Sequence, residues 1–107
     1  MSCQTHTESD FTVVSLSGEI DLHCSPQARD CILKCLGEKH NVLVDLSKVE
    51  YIDSSGIASL VEGLQYARNH DLKFGLVGVS EAAMQVIQLA RLDKVFPIHT
   101  TINAATA

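Results

Sequence analysis

A chain of 107 residues, 46% of them hydrophobic and 20% charged, is long enough to bury a real core and leaves little room for a second domain. Thirteen acidic residues against eight basic ones give a formal charge of -5 and a pI near 5.4, and the basic residues are scattered. That excludes non-specific nucleic-acid binding, which needs a Lys/Arg-rich face. No apolar run approaches the roughly 20 residues that direct membrane insertion of a helix requires. The start, Met1-Ser2-Cys3-Gln4-Thr5-His6-Thr7-Glu8, lacks the basic-then-apolar pattern of a signal peptide, so a cytoplasmic protein is expected. Cys3, Cys24, Cys31 and Cys35 could make two disulfides, but so aliphatic a domain does not need them. Free thiols in a reducing cytosol are the simpler expectation.

In chain order, Phe11 to Leu16 is rich in β-branched residues and ends at Ser17-Gly18, the pattern of a strand entering a turn. Ser25-Pro26 offers an N-cap with proline at the first helical position, and Ala28, Ile32, Cys35 and Leu36 follow at helical spacing. They predict an amphipathic helix ending near Gly37. Asn41 to Leu46 is almost wholly apolar, as in a parallel strand covered on both faces. After a link from Ser47 to Asp53, apolar residues at Ile57, Leu60, Val61, Leu64 and Ala67 predict a helix from about Ser54. Beside that stripe, Gly56, Ser59, Gly63 and Ala67 form a small-residue strip suited to close packing, while Glu62, Gln65, Arg68 and Asn69 read as the solvated or partner-facing side.

Leu72 to Val77 predicts another strand, Ser80-Glu81 opens a helix with Ala83, Val86, Ile87 and Ala90 on one face, and Val95 to Ile98 predicts a last edge strand where Pro97 is tolerated. Alternating strands and helices give the α/β class: a mixed, mainly parallel β-sheet flanked by α-helices. The chain reads as a single domain over 1–107, with its core at about 11–98 and with Met1 to Ser9 and Thr100 to Ala107 loosely tied.

Chemistry concentrates at Asp53-Ser54-Ser55-Gly56, where a buried strand meets a helix N-terminus. In open α/β sheets, function collects at such carboxyl ends of strands. The first helical N–H groups have no partners within the helix and the dipole favours negative charge, so a hydroxyl there is a ready place for a phosphate. A helix cap alone accounts for Asp53, Ser54 or Ser55. Two hydroxyls plus Gly56 exceed what a cap needs, and no Glu or Gln completes a capping box.

Gly18-Glu19-Ile20-Asp21, Val44-Asp45-Leu46, Tyr51-Ile52-Asp53-Ser54-Ser55-Gly56 and Leu89-Ala90-Arg91-Leu92-Asp93-Lys94-Val95-Phe96 together resemble bacterial STAS-domain anti-sigma-factor antagonists, over roughly Phe11 to Ile98. The resemblance implies a single STAS-like domain. It also implies a partner-switching role in which the serine after the aspartate, here Ser54 with Ser55 as runner-up, is phosphorylated by an anti-sigma factor with serine-kinase activity. A serine phosphatase would reverse the step. Asp21, Asp53, Ser54, Ser55, Gly56, Ile57 and Ala58 would form the docking surface. Many antagonists have leucine and a second glycine after this block, whereas this chain has Ile57-Ala58. Ala58 is similar to STAS docking subunits of lipid-transport ABC systems, which implies an alternative partner, a transporter ATPase.

Other chemistries find little support. Gly-x-Ser-x-Gly is absent around Ser54 and Ser55, and a triad would have to recruit His23, His40, His70 or His99 from elsewhere. Cys24, Cys31 and Cys35 with His23 include no Cys-x-x-Cys pair, so no metal is expected. Gly75-Leu76-Val77-Gly78 is not a dinucleotide fingerprint and no Walker sequence occurs, so no cofactor is expected.

Overall fold

The computed structural model describes residues 1–106. Nine elements follow one another: β1 (Ser2–Glu8), β2 (Phe11–Ile20), α1 (Ser25–Gly37), β3 (Asn41–Ile52), α2 (Ser54–Asn69), β4 (Phe74–Val77), α3 (Glu81–Leu89), β5 (Ile98–His99) and α4 (Ile102–Thr106). The strands form one sheet in sequence order, β1-β2-β3-β4-β5. β1 pairs antiparallel to β2 and the remaining pairs are parallel. Because three parallel crossovers advance across the sheet in one direction, right-handed connections place their helices on one face. Accordingly α1, α2 and α3 share a single core with Val14, Leu16, Val42, Val44, Leu46 and Leu76. On the opposite face α4 lays Ile102 and Ala105, with Phe11 beside them, over Val13, Leu43 and Val77. Among the described residues, no helix is long and apolar enough to cross a membrane.

Several expectations change. The N-terminal stretch read as loosely tied is strand β1, in register from Ser2 opposite Ser17 to Glu8 opposite Phe11. At the other end Thr100 to Thr106 includes helix α4, and Ala107 lies outside the described residues. The link from Ser47 to Asp53 is mostly strand, since β3 continues to Ile52 and buries Val49 and Ile52. Its pairing with β2 shifts register between Ser15 and Ser17 and again between Gly18 and Glu19, which adds local twist and re-aims the strand ends. The last strand is Ile98–His99, while Phe96 is buried from the turn before it. Ser25 is the first helical residue and not the cap; Asp21 holds that end through its backbone and side-chain oxygens.

The cysteines also depart from the expectation of four free thiols. Cys3 and Cys31 are joined by a disulfide, and Cys24 and Cys35 are free. Strand register explains the pairing: Cys3 stands opposite Leu16, a residue buried in the helix-side core, so Cys3 faces α1. This pairing also breaks up the Cys24, Cys31, Cys35 and His23 grouping considered for a metal.

The small-residue strip of α2 is a packing surface: Gly56, Ser59, Gly63 and Ala67 are all buried. A Cβ on Gly56 would lie 2.6 Å from Ile52 Cγ1 and 3.0 Å from Ile20 Cγ2. Glycine here lets the first turn of α2 sit hard against the ends of β2 and β3. Glu62, Gln65, Arg68 and Asn69 are exposed as expected, with Glu62 ion-paired to Arg29 of α1.

Candidate functional site

Where β2 and β3 end side by side, Ile20 pairs with Ile52 and the Asp53 N–H donates to the Ile20 carbonyl at 3.2 Å. The two chains then diverge into the starts of α1 and α2. Asp53 is the N-cap of α2 in extended conformation, as a cap residue must be to turn its carboxylate back onto the helix. Its Oδ1 accepts from the Ser55 N–H at 3.0 Å, the Gly56 N–H at 3.2 Å and the Ser55 hydroxyl at 2.5 Å. Its Oδ2 accepts from the Leu22 N–H at 3.1 Å. One carboxylate therefore caps α2 and ties the β2–α1 loop to it. Four donors to the ionised form, with the Ser55 hydroxyl first among the causes, hold Asp53 below the usual carboxylate range.

Asp21 organises the neighbouring loop. Its Oδ1 accepts from the N–H groups of His23 and Cys24, each at 3.0 Å, and its backbone carbonyl accepts from Cys24 and Ser25. The Cys24 backbone bond is the main reason its carboxyl is lowered.

The two serines are not equivalent. Ser54 is exposed, and among the described residues its hydroxyl has no hydrogen-bond partner. Ser55 is half-buried, and its hydroxyl is committed to Asp53. The expected phosphate cradle is also already filled, because the Asp53 carboxylate takes the Ser55 and Gly56 N–H groups. Of the residues expected on a docking surface, Asp21, Asp53, Ser54, Ser55 and Ala58 reach solvent, whereas Gly56 and Ile57 face the core, Ile57 being 5% exposed. Two exposed apolar residues not anticipated there lie within two chain positions of Asp21 and Asp53. Leu22 is 76% exposed and Tyr51 50%. Among the described residues, no histidine hydrogen-bonds Ser54 or Ser55; His70 instead stacks on Tyr66 with ring centroids 4.0 Å apart.

Asp53→Ala is expected to cost about 1–2 kcal/mol of folding stability, as loss of a helix cap does. Because folding lowers the Asp53 pKa, the stability it contributes is present above its unfolded value of about 3.9. That contribution is lost as pH falls through the lower folded value. Urea unfolding of both proteins at neutral and acid pH should show the gap between them closing as the carboxylate protonates.

A model of the family described as the STAS domain matches residues 2–105. The anti-sigma-F factor antagonist RsfB of Mycobacterium tuberculosis is 32% identical over 94 residues, covering 87% of this chain and 76% of its own. An anti-sigma-B factor antagonist of Staphylococcus epidermidis is 27% identical over 100 residues, covering 92% of this chain and 93% of its own. A solved anti-sigma factor antagonist from Mycobacterium paratuberculosis superposes with a TM-score of 0.85 at 29% identity, covering 97% of this chain and 89% of that one.

Proposed function

The chain belongs to the STAS-domain family, and from that premise we propose that it is an anti-sigma-factor antagonist, a binding module without an active site of its own. In its unphosphorylated form it docks on an anti-sigma factor with serine-kinase activity and so frees a sigma factor. Phosphorylation of Ser54 ends the docking, and a serine phosphatase restores it. The observation that carries this reading is the division of labour between the serines: Ser54 offers an exposed, uncommitted hydroxyl, while Ser55 is held by Asp53.

The same geometry supports a mechanism for release. A phosphoryl group on Ser54 adds about -1.5 to -2 charges, yet the Ser55 and Gly56 N–H groups already serve Asp53. Those two donors are therefore not available to the new charge, which stands beside the Asp53 carboxylate at the exposed end of the helix. A partner surface that packs closely over Ser54 would have to desolvate both. Leu22, whose N–H is held by Asp53, and Tyr51, near the end of β3, are exposed and serve as the apolar anchors of the docking face, with Asp21 and Asp53 supplying its polar part.

Intact mass and phosphosite mapping of the protein from its own cells, together with its co-purifying partners, test the reading. Phosphate on Ser54 and a kinase-type ATPase partner are expected. Phosphate on Ser55 alone would assign the switch to the wrong hydroxyl, and a membrane transporter complex would replace the antagonist role with constitutive docking.

A further inference from the structure

We propose that Cys3 and Cys31 are a reversible thiol–disulfide site that fastens β1 to α1 when oxidised and frees β1 when reduced. The two sulfurs are bonded in the structure, and the elements they join differ in how firmly they are held. α1 buries Ser25, Ala28, Ile32, Cys35 and Leu36. β1 is a sheet edge whose seven residues are exposed except for half-buried Cys3. Among the described residues of β1, Cys3 is the one side chain that packs on the helix-side core besides the ladder with β2; Met1, just before the strand, packs there too.

Access separates this pair from Cys35, and partnership separates it from Cys24, which is half-buried as well but free. Cys3 and Cys31 are both half-buried, within reach of a small reagent. Cys35, one helical turn beyond Cys31, is buried, and burial pushes its thiol up, so it is a poor nucleophile. Because 28 residues separate the bonded cysteines, closing the bond removes much of the freedom that opening β1 would release.

The oxidant is a small disulfide of the glutathione class. One protein thiolate attacks its S–S bond, forming a mixed disulfide and expelling one small thiolate. The second protein thiolate then attacks the protein sulfur of that mixed disulfide and expels the other. Two protein thiols lose two protons and two electrons, and the small disulfide leaves as two thiols. A dithiol reductant runs the sequence in reverse.

The full chain, equilibrated across ratios of oxidised to reduced glutathione, should be read by alkylation, peptide mapping and amide hydrogen exchange. Expected are a Cys3–Cys31 cross-linked peptide with Cys24 and Cys35 alkylated, and, on reduction, exchange of β1 amides faster by about tenfold or more with β3 and β4 unchanged. Cys3→Ser and Cys31→Ser should each exchange at the reduced rate in either buffer. Cross-linking through Cys24 or Cys35, no cross-link at any ratio, or a cross-link that leaves β1 exchange unaltered would each overturn the proposal. The wild-type titration decides it even if a variant folds poorly.

Discussion

Gly63→Ala is expected to destabilise the fold by about 1–3 kcal/mol, as overpacking of a dense core does, and Ile32→Ala by about 2–5 kcal/mol, through the cavity it leaves. At Gly63 a Cβ would come within 2.8 Å of Phe74 Cε2 and 2.9 Å of Ile32 Cγ2. Neither neighbour can retreat toward solvent, since Phe74 is 5% and Ile32 0% exposed. Alanine's advantage over glycine in a helix, about 1 kcal/mol, opposes the clash and sets the lower end of the range. The two substitutions compete for one space, so the double variant should be more stable than the sum of the singles by about 0.5–3 kcal/mol. Urea unfolding of all four proteins measures the coupling. Strict additivity would mean that α1, α2 and β4 do not meet at this point as closely as the geometry says.

That contact also shows what the sequence could and could not reveal. Gly56, Ser59, Gly63 and Ala67 are visible as a strip of small residues, because helical spacing is local. Their use in packing depends on Ile20, Ile32, Ile52 and Phe74, which come from four other elements. Helix starts were legible for the same local reason: Pro26, Asp53 and Ser80 carry their signals within a few residues. β1 was not, because Ser-Cys-Gln-Thr-His-Thr-Glu has no apolar alternation; an edge strand wet on most of both surfaces has nothing hydrophobic to display. The second half of β3 was hidden by Ser47, Lys48 and Glu50, exposed residues that interrupt the apolar run while Val49 and Ile52 stay buried.

At the site, the Asp53 cap could be read from residue type and position. Which serine remained free could not, because it turns on the direction in which one hydroxyl is drawn. Leu22 and Tyr51 carried no signal, since a lone apolar residue is core or surface only once its neighbours are placed. Cys3 with Cys31 is the same case across 28 residues: only the register of β1 on β2 turns the one cysteine toward the other.

Ser54→Asp is expected to weaken docking on the anti-sigma kinase by about 2–4 kcal/mol, roughly 30- to 700-fold in Kd, the scale of an unpaired like charge forced into an interface. The new carboxylate would stand next to Asp53, whose oxygens already take the donors of Ser55, Gly56 and Leu22, and so would find no local compensation. Ser54→Ala removes only an exposed hydroxyl and should change folding stability by no more than about 0.5 kcal/mol, bind like the unphosphorylated protein and resist the kinase. Ser55→Ala separates site from cap: loss of its hydroxyl bond to Asp53 costs about 1 kcal/mol of stability, yet Ser54 remains available for phosphorylation. Titration calorimetry with the purified partner, paired with urea unfolding of each variant, distinguishes the two effects. Wild-type affinity in Ser54→Asp would sink the switch. A loss of affinity confined to Ser55→Ala and matched by its loss of stability would leave Asp53 and Ser55 as a helix cap and nothing more. Because Asp53 braces the β2–α1 loop as well as α2, a charge added at Ser54 is felt by a surface held rigid on both sides, and the partner has to accommodate it.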